Sequence, residues 1–352
     1  MITPLSTAGL VAFVFISVGA LTLQRDGLSF SAEIESAGDT SRVRFIAVGD
    51  INLGRVVGQR ILEGDTLFPF VHVRDLFQSY DIVFGNLECQ LSDQDGETQH
   101  PGNNLIFTGP PGGAASLSKG GFTHVSTANN HALDYGVEAL EETITNLRDA
   151  RVAFAGTGIT NEDLYRPLLF EMNGIRFAMF ACTDVMNIED RFWTAYVTEA
   201  DSAKLFPRIR AVRSTVDFIF VSYHGGGEYS DKPSKATRQF AHGVLDAGAD
   251  LFLGHHPHVV QGIEHVGSKL IVYSLGNFAF YQPFAFWTQR SFALEAEIRM
   301  DERGARIDRY SLKPLIASNQ PQFLQSGDEQ QAVHRRIDLL SRQFHEGLVW
   351  PN

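Results

Sequence analysis

The stretch "DLFLGHHPH", residues 250–258, joins an apolar run to three histidines within four positions. The chain has 12 histidines in 352 residues, so three in one turn are a marked concentration. The run from Leu251 to Leu253 is typical of a buried strand, and the histidines follow at its carboxyl end. This arrangement predicts a functional group of side chains at the edge of a sheet.

Four other segments share this design, in which a β-rich apolar run ends in Gly, Asn, Asp, Glu or His. They are "VRFIAVGD" (43–50), "DIVFGNLE" (81–88), "FTHVSTANNH" (122–131) and "DFIFVSYHGG" (217–226). Helical periods lie between some of them, as in "GVEALEETITNLRDA" (136–150) and "KATRQFAHGVLDAGA" (235–249). The alternation predicts an α/β fold, with a sheet flanked by helices and all five polar clusters at one edge of that sheet.

The remaining segments complete the plan of the chain. Three later apolar runs predict a second sheet packed on the first: "KLIVYSLGNFAF" (269–280), "SFALEAEIRM" (291–300) and "RIDRYSLKPLIA" (306–317). We predict four parts: residues 1–23 as a signal anchor or signal peptide, 24–41 as a polar tether, 42–320 as one catalytic domain, and 321–352 as a C-terminal helix that packs on that domain.

The N-terminal segment "LSTAGLVAFVFISVGALTL", residues 5–23, carries no charged residue. Its length is close to the roughly 20 apolar residues that a membrane-spanning helix needs. A buried core helix is the alternative. The first positive charge, Arg25, follows the run, so flanking charge leaves the orientation open. We predict attachment to the cell membrane or envelope through residues 5–23, with the catalytic domain outside the cytoplasm.

Composition argues against several classes of protein. The formal net charge of -12 argues against a nucleic-acid partner held by a basic surface. Two cysteines, Cys89 and Cys182, make neither a disulfide framework nor a cysteine-based zinc site. The chain contains no G-x-S-x-G elbow and no G-x-x-x-x-G-K-[ST] phosphate loop, which argues against a serine hydrolase and a P-loop ATPase.

The five strand ends together offer carboxylate, imidazole and amide oxygen, which are ligands of divalent metals in hydrolytic sites. The candidates are Asp50, Asn52, Asn86, Glu88, Asn129, Asn130, His131, His224, His256 and His258. Two metals that share a carboxylate would hold an oxyanion and activate a water between them. The combination predicts a metal centre at this edge.

Spacing divides the histidine cluster. Asp50 and Asn52 are two residues apart, as are His256 and His258, so each pair faces one side if strand geometry continues. His255 then points elsewhere, and we expect it to pack against or orient a neighbour.

Each candidate also has a structural alternative. Asp50 could cap the following helix, and His224 could be a buried, hydrogen-bonded histidine. Asn130 and His131 could be polar loop residues. The joint occurrence of suitable ligands at five strand ends favours the metal centre over these separate explanations.

Six motifs in this order resemble the bacterial capsule-synthesis (CapA, poly-γ-glutamate synthesis) family, which is related to the calcineurin-like metallophosphoesterases. They are "GDINLGR", "GNLE", "NNHALDYG", "HGGGEY", "GHHPHVVQG" and "SLGNF". The resemblance runs from about Val43 to about Leu315. It implies a four-layer αββα sandwich of the metallophosphoesterase type, with residues 42–320 as a metallophosphatase-like catalytic domain.

The resemblance also implies a role for each site residue. Asp50 matches the first metal-ligand aspartate, Glu88 the bridging carboxylate, and Asn130 the metal-binding asparagine. His131 matches the histidine that acts as general acid or stabilises developing charge. The remaining implied metal ligands are His224, His256, His258 and, less strongly, Asn52. The implied catalytic residues are His131, Asp50 and Glu88, and the implied cofactor is one or two divalent ions of Mn, Zn or Fe.

Three residues depart from the metallophosphoesterase pattern. Asn52 stands where Asp-x-His has its histidine and is a weaker ligand. The second motif supplies Glu88 where an aspartate is usual. Gly225 replaces the aromatic residue that follows the strand-end histidine, which predicts an opening in the pocket wall.

These features favour a membrane-attached, CapA-like protein of poly-γ-glutamate or capsule biosynthesis, with a metallophosphoesterase-type metal site. One alternative is a metal-dependent hydrolase of a phosphoester or amide, and a second is a peptide-modifying, epimerase-like enzyme. A third is a non-catalytic scaffold of a polymer synthase. The expected partners are other subunits of a membrane polymer synthase and a polyanionic or peptide substrate.

Overall fold

The computed structural model of the protein describes residues 41–344. The apolar segment 5–23 and the tether, except for its last residue, lie outside the described residues, as do residues 345–352 of the predicted C-terminal part. Within 41–344, no helix combines the length and the apolar character that crossing a bilayer requires. Membrane attachment through residues 5–23 therefore stays a prediction.

The described residues form fifteen strands and seven α-helices. The strands are β1 (Arg42–Ile51), β2 (Ile82–Leu87), β3 (Gln90–Leu91), β4 (Thr108–Gly109), β5 (His124–Ser126), β6 (Ala153–Ala155), β7 (Leu168–Met172), β8 (Ile175–Thr183), β9 (Phe218–His224), β10 (Leu251–His255), β11 (Ile263–Val266), β12 (Lys269–Val272), β13 (Arg290–Asp301), β14 (Gly304–Ile316) and β15 (Gln322–Phe323). The helices are α1 (Arg55–Leu62), α2 (Arg74–Phe77), α3 (Gly112–Gly120), α4 (Gly136–Asp149), α5 (Ser202–Arg213), α6 (Lys235–Ala247) and α7 (Asp328–Ser341). Short 3-10 turns cover Phe68–Phe70, Arg191–Ala195 and Phe286–Gln289.

Most strands belong to two large sheets, so the fold is a mixed α/β fold. The first sheet has the order β15-β14-β13-β1-β2-β5-β6, and the second has the order β11-β12-β10-β9-β8-β7. Strands β1, β2, β5 and β6 run parallel, as do β8, β9, β10 and β12. The hairpin of β13 and β14 joins the first sheet antiparallel to β1.

This topology corrects the prediction that one sheet carries all five polar strand ends. Strands β1, β2 and β5 lie in the first sheet, whereas β9 and β10 lie in the second. The later runs do not form a sheet of their own, because β13 and β14 extend the first sheet. The physical reason is that both faces of β9 and β10 are buried, so their apolar residues fit the interior of either sheet.

Side chains of β1 show how the first sheet is buried on both faces. Val43 and Phe45 point into a core between the two sheets, where the Phe45 ring lies 5.4 Å from that of Phe220 in β9. Ile46 and Val48 alternate with them and enter a second core on the other face. Each such side chain contributes about 1.5–3 kcal/mol through burial.

Helices cover the outer faces of the two sheets. Val57 of α1 and Leu117 of α3 pack in the outer core of the first sheet. Ile209 of α5 and Val244 of α6 do the same for the second sheet. Ile337 of α7 reaches the core between the sheets.

The loop that follows β12 joins the carboxyl edges of the two sheets. Asp50 N donates to Gly276 O at 3.0 Å, and Phe278 N donates back to Asp50 O at 2.9 Å. The approach is close enough that a β-carbon on Gly49 would lie 1.7 Å from Gly276 O. Glycine is therefore required at position 49. Leu275 N of the same loop donates to Gly254 O of β10 at 3.1 Å, so the ends of β1 and β10 are held side by side.

Candidate metal centre

Acidic and imidazole side chains from both sheets converge where the carboxyl edges meet. Ligand atoms of Asp50, Glu88 and His224 all lie within 4.8 Å of one another, and the three residues are fully buried. Register explains the convergence, because Asp50 pairs with Asn86 across β1 and β2, and His224 pairs with His255 across β9 and β10.

A second group of possible ligands lies in the loops that follow β9 and β10. It consists of the carboxylate of Glu228, which is exposed, and the buried rings of His256 and His258. The two groups are linked, because the rings of His224 and His256 lie 4.8 Å apart. Five of the sequence-predicted ligands thus fall into two neighbouring groups: Asp50, Glu88 and His224 in the buried one, and His256 and His258 in the one that reaches the surface through Glu228.

Asp50 is surrounded by donors. Its Oδ1 accepts from Asn86 Nδ2 at 2.9 Å and lies 3.4 Å from His255 Nδ1, while its Oδ2 lies 3.3 Å from His258 Nδ1. Burial alone would raise the pKa of Asp50, but the interactions with His255 and His258 hold that pKa well below its usual value. The carboxylate is therefore ionised and available as a ligand.

Glu88 has the opposite environment. Burial, reinforced by the charge of Asp50, raises the pKa of the Glu88 carboxyl well above its usual value. Its Oε1 has no hydrogen-bond partner among the described residues, although His258 Nε2 lies 3.7 Å away and His131 Nε2 3.9 Å away. A cation beside Oε1 would offset this burial cost.

One amide nitrogen stands between the ligands. Asn86 Nδ2 donates to Asp50 Oδ1 and, at 3.3 Å, to Glu88 Oε2, and it lies 3.1 Å from His224 Nδ1. It is a single NH₂ group facing two carboxylates and an imidazole. Possible metal-ligand atoms of Asp50, Glu88 and His224 therefore already lie around this one amide group.

His224 ends β9 and is paired through its other nitrogen. Its Nε2 lies 2.8 Å from Asn130 Oδ1, and Asn130 Nδ2 donates to Asn187 Oδ1 at 3.0 Å. Burial, followed by the charge of His256, lowers the pKa of His224 well below its usual value. The ring is neutral, which is the form that binds metal.

His131 is held by contacts outside the ligand groups. Its Nδ1 lies 2.8 Å from Asp134 Oδ2, and its ring stacks on Phe107 with 4.2 Å between centroids. Its Nε2 is directed toward Glu88, at 3.9 Å from Oε1. The ring therefore faces the centre with one nitrogen and is oriented through the other.

The turn carrying His256 and His258 has unusual backbone geometry. Both residues adopt positive φ, 94° and 57°, a region that residues other than glycine rarely enter. His258 Nδ1 also lies 2.9 Å from Asn277 Oδ1, and His256 Nδ1 is buried with no partner among the described residues. Burial lowers the pKa of His256 to about 4, so this ring is also neutral near pH 7.

His255 and Asn52 lie in different surroundings from the ligand groups. His255 is fully buried beside Phe84, with 5.9 Å between ring centroids; its Nδ1 lies 3.4 Å from Asp50 Oδ1, and its Nε2 has no hydrogen-bond partner within 41–344. Asn52 lies beyond the end of β1, and its Oδ1 accepts from Gly54 N at 2.7 Å. The amide oxygen of Asn52 thus serves its own loop, and its role as a ligand stays a prediction.

Asn129 contacts residues that flank the candidate ligands. Its Nδ2 donates to Leu87 O at 2.8 Å and to Asn86 Oδ1 at 3.3 Å, while its Oδ1 accepts from His131 N. It connects the loop after β5 to the end of β2. These contacts make it a positioning residue.

The predicted opening of the pocket wall at Gly225 is wrong. A β-carbon on Gly225 would lie 1.9 Å from Asp184 Oδ1 and 2.7 Å from the Tyr223 hydroxyl. Asp184 hydrogen-bonds to the Tyr223 hydroxyl and accepts from Gly226 N. The space that a side chain at position 225 would take is filled by the Asp184 carboxylate.

Sequence reasoning missed three residues of this site: Glu228, Asp134 and Asn277. Each lies inside a quoted motif, namely "HGGGEY", "NNHALDYG" and "SLGNF". A signal existed for each. Asp134 follows the predicted site residue His131 by three positions, and Glu228 follows His224 by four. Asn277 comes directly after the glycine of a strand-end loop. Their contacts depend on loops whose course the spacing alone does not define.

The residues at this edge fit a divalent metal. Two of the buried atoms without a hydrogen-bond partner in 41–344, Glu88 Oε1 and His256 Nδ1, are possible metal-ligand atoms, and each belongs to one of the two groups described above. Carboxylate, imidazole and amide oxygen together suit Mn, Zn or Fe. An ion would satisfy atoms that are otherwise left with a desolvation cost of about 1–3 kcal/mol each.

Comparison with known proteins points to one family. A family model described as bacterial capsule synthesis protein PGA_cap matches residues 44–282. Capsule biosynthesis protein CapA of Bacillus anthracis is 28% identical over 330 residues, which cover 89% of this chain and 76% of the relative. PGA biosynthesis protein CapA of Bacillus subtilis (strain 168) is 31% identical over 274 residues, which cover 76% of this chain and 70% of the relative. These matches confirm the resemblance identified from the six motifs.

A solved structure is also similar in part. The calcineurin-like phosphoesterase YfkN from Bacillus subtilis superposes on 86% of this chain and 99% of its own, with 11% sequence identity and a TM-score of 0.45.

Proposed function

This chain belongs to the bacterial capsule synthesis protein PGA_cap family, and we propose that it acts in poly-γ-glutamate or capsule formation as a metal-dependent, hydrolase-like enzyme attached to the cell envelope. The family membership supports the biological process. The proposed fold type is the four-layer αββα sandwich of the metallophosphoesterases, which agrees with two packed sheets and helices on their outer faces.

One observation carries the proposed chemistry. Asp50, Glu88 and His224 come from three strands and two sheets, yet their ligand atoms lie within 4.8 Å of one another in full burial. Burying two carboxylates side by side is costly unless a cation or proton compensates them. A structural role would be served at lower cost by apolar residues.

The ligand set follows from the two groups. Asp50, Glu88 and His224, with Asn130 at His224, would hold one ion. His256, His258 and the newly identified Glu228 would hold a second ion or close the site around the first. We retain Asn52 as a weaker, distal candidate.

A divalent cation bound here would supply positive charge that polarises the bond to be broken and acidifies a water molecule. The protein's own residues would supply orientation and proton transfer. His131 faces Glu88 through Nε2 and is fixed through Nδ1 by Asp134, so it is placed to protonate a leaving group or to stabilise developing negative charge.

The proposal places the catalytic domain outside the cytoplasm, attached through residues 5–23, beside other subunits of a polymer synthase. A polyanionic substrate would need local positive charge to approach a chain of net charge -12, and bound metal would provide part of it.

The test is metal analysis of the purified full-length protein, kept in detergent, beside the His256→Ala/His258→Ala double variant. A matched control is His72→Ala/His265→Ala, which removes two exposed histidines. We expect wild type and control to retain Mn, Zn or Fe and to hydrolyse bis(p-nitrophenyl) phosphate, and the first variant to lose both.

Folded wild-type protein without metal, after supply of all three ions, would contradict the metal centre. Metal without hydrolysis would favour a peptide-modifying activity, tested by proton exchange at the α-carbon of a γ-glutamyl peptide. Normal capsule output from a metal-free variant in the producing cell would favour the scaffold.

A further inference from the structure

A groove of about 710 Å³ lies away from the metal ligands, where the edge strands of the two sheets meet. Strand β6 ends the first sheet and β7 ends the second, and the groove is lined by residues of both. Its apolar lining consists of Ile144, Val152, Phe154, Ile159, Leu168 and Leu169. Two of these, Ile159 and Leu169, are 46% and 57% exposed, so the groove presents apolar surface to solvent.

The charges around the groove oppose the charge of the whole chain. Arg148, Arg151 and Arg166 line it, and Asp163 is the one acidic residue among its lining residues. Asp163 lies 3.5 Å from Arg166, whereas Arg148 and Arg151 form no ion pair with any residue in 41–344. A locally basic groove on a chain of net charge -12 favours an anionic ligand.

One end of the groove leads to the carboxyl edge of the first sheet. Strand β6 runs parallel to β5, and both end at the edge that carries the metal ligands. Thr157, which lines the groove just beyond β6, has its hydroxyl 2.7 Å from that of Thr127. Thr127 begins the loop that continues to Asn130 and His131. A chain lying in the groove would therefore emerge beside the loop of the candidate centre.

Strand β6 adds a further binding element. Within the described sheet it pairs with β5 on one side, while on the other side the residues directly after it are already bonded: Thr198 N donates to Gly156 O at 2.8 Å, and Gly158 N donates to Tyr196 O at 2.9 Å. A ligand chain can therefore meet an open backbone edge only along the three residues of β6. Phe154, in the middle of β6, also holds the Arg148 guanidinium over its ring at 5.9 Å.

We infer that this groove binds an acidic polymer whose repeat contains an amide, a short hydrocarbon segment and a carboxylate, and guides it to the metal centre. Poly-γ-glutamate has this repeat, so the inference rests on the proposed function and names the substrate class of the same protein. The arginines pair with carboxylates, the apolar floor contacts the methylene groups, and the short open edge of β6 faces an amide.

The experiment measures binding of fluorescently labelled poly-γ-glutamate to the full-length protein by anisotropy at low and high salt. The variant is Arg148→Gln/Arg151→Gln/Arg166→Gln, and the charge-matched control is Arg74→Gln/Arg208→Gln/Arg303→Gln. All six arginines are exposed, so neither variant should disturb folding, which thermal unfolding will verify. Polyphosphate of equal charge is the second probe, because it lacks hydrocarbon.

We expect the groove variant to bind poly-γ-glutamate about tenfold more weakly at low salt, and the control to bind as wild type does. We also expect wild type to prefer poly-γ-glutamate to polyphosphate. Equal binding by groove variant and control would overturn the location, and equal affinity for the two polymers would overturn the ligand class.

Metal content separates this inference from the proposed function. The groove variant should retain its metal and its hydrolysis of bis(p-nitrophenyl) phosphate, because none of its three arginines lies among the metal ligands. Wild type that holds metal but does not bind the polymer would overturn the groove alone. Wild type without metal would contradict the proposed centre, whatever the polymer measurement gives.

Discussion

His131 Nδ1 lies 2.8 Å from Asp134 Oδ2, and both side chains are buried in the turn that precedes α4. The same Asp134 oxygen accepts from Phe107 N at 3.1 Å, and Phe107 stacks on the His131 ring. The Asp134 carboxylate thus holds both the His131 ring and the Phe107 residue on which that ring stacks. Asp134 orients His131 without facing the metal ligands itself.

We expect Asp134→Asn to lower kcat for phosphodiester hydrolysis by about 10- to 100-fold, because the imidazole loses the charge that orients it. Metal content should not change. The control is Asp149→Asn, an exposed acid at the end of α4. The comparison uses kcat and metal stoichiometry of the two variants side by side. A variant with unchanged kcat would assign Asp134 a purely structural role.

Glu88→Gln should stabilise the metal-free protein near pH 7. Burial and the charge of Asp50 raise the pKa of Glu88, so the folded state holds this proton more tightly than the unfolded state does. The contribution of Glu88 to the free energy of unfolding is then fully present below the ordinary pKa of glutamate and is lost as the pH rises through the raised value. Glutamine cannot ionise and avoids this loss.

The gain in stability is expected at pH 7 and should shrink as the pH falls toward the ordinary pKa of glutamate. Chemical denaturation of chelator-treated wild type and variant across that pH range measures it. The same substitution should weaken metal binding. If both proteins showed the same pH dependence, Glu88 would not be the buried acid that limits stability.

Metal binding should release a proton. Glu88 is protonated in the metal-free state over a wider pH range than an ordinary glutamate, whereas a ligand carboxylate must be ionised. Titration calorimetry of one metal in buffers with different ionisation enthalpies, over a pH series that starts at the ordinary pKa of glutamate, will report the proton as a buffer-dependent heat. The heat should lose its buffer dependence toward high pH. A heat that is independent of the buffer throughout the pH series would show that Glu88 is already ionised before metal binds.

Gly225→Ala should destabilise the protein by about 1–3 kcal/mol, because the new β-carbon would displace the Asp184 carboxylate. The cost should fall in an Asp184→Ala background, with a coupling of about 1 kcal/mol measured by a double-mutant cycle. Gly227→Ala is the control in the same loop, since a β-carbon there would lie 3.7 Å from the Ser230 β-carbon. Additive effects of the two substitutions would exclude steric competition between positions 225 and 184.

Sequence patterns predicted those elements whose limits depend on interactions between residues close together in the chain. The period over 235–249 predicted α6, observed as Lys235–Ala247. Ser234 caps its first turn by accepting from Thr237 N at 3.0 Å, and Gly248 with a φ of 124° ends it. Signals of this kind lie within a few residues of the element they define.

The assignment of strands to sheets was not predictable in the same way. Strands β9 and β10 have the same apolar composition as β1 and β2, and they differ in the partners they meet far along the chain. The predicted ligands Asp50, Glu88 and His224 still lie close together, because parallel strands deliver their ends to one edge in either arrangement. Glu228 was missed because it follows three glycines, whose backbone can turn in many directions.

At His256 and His258, selection for stability and selection for activity favour different residues, because both positions have positive φ. A positive φ at each histidine lowers the stability of the fold by about 1–2 kcal/mol relative to a right-handed conformation. Glycine or asparagine would lower it less at both positions. A variant library screened for heat resistance alone, with metal withheld, should drift toward these residues. The same library screened for activity should return to histidine, and the difference between the two outcomes would measure the stability that this turn gives up for its chemistry.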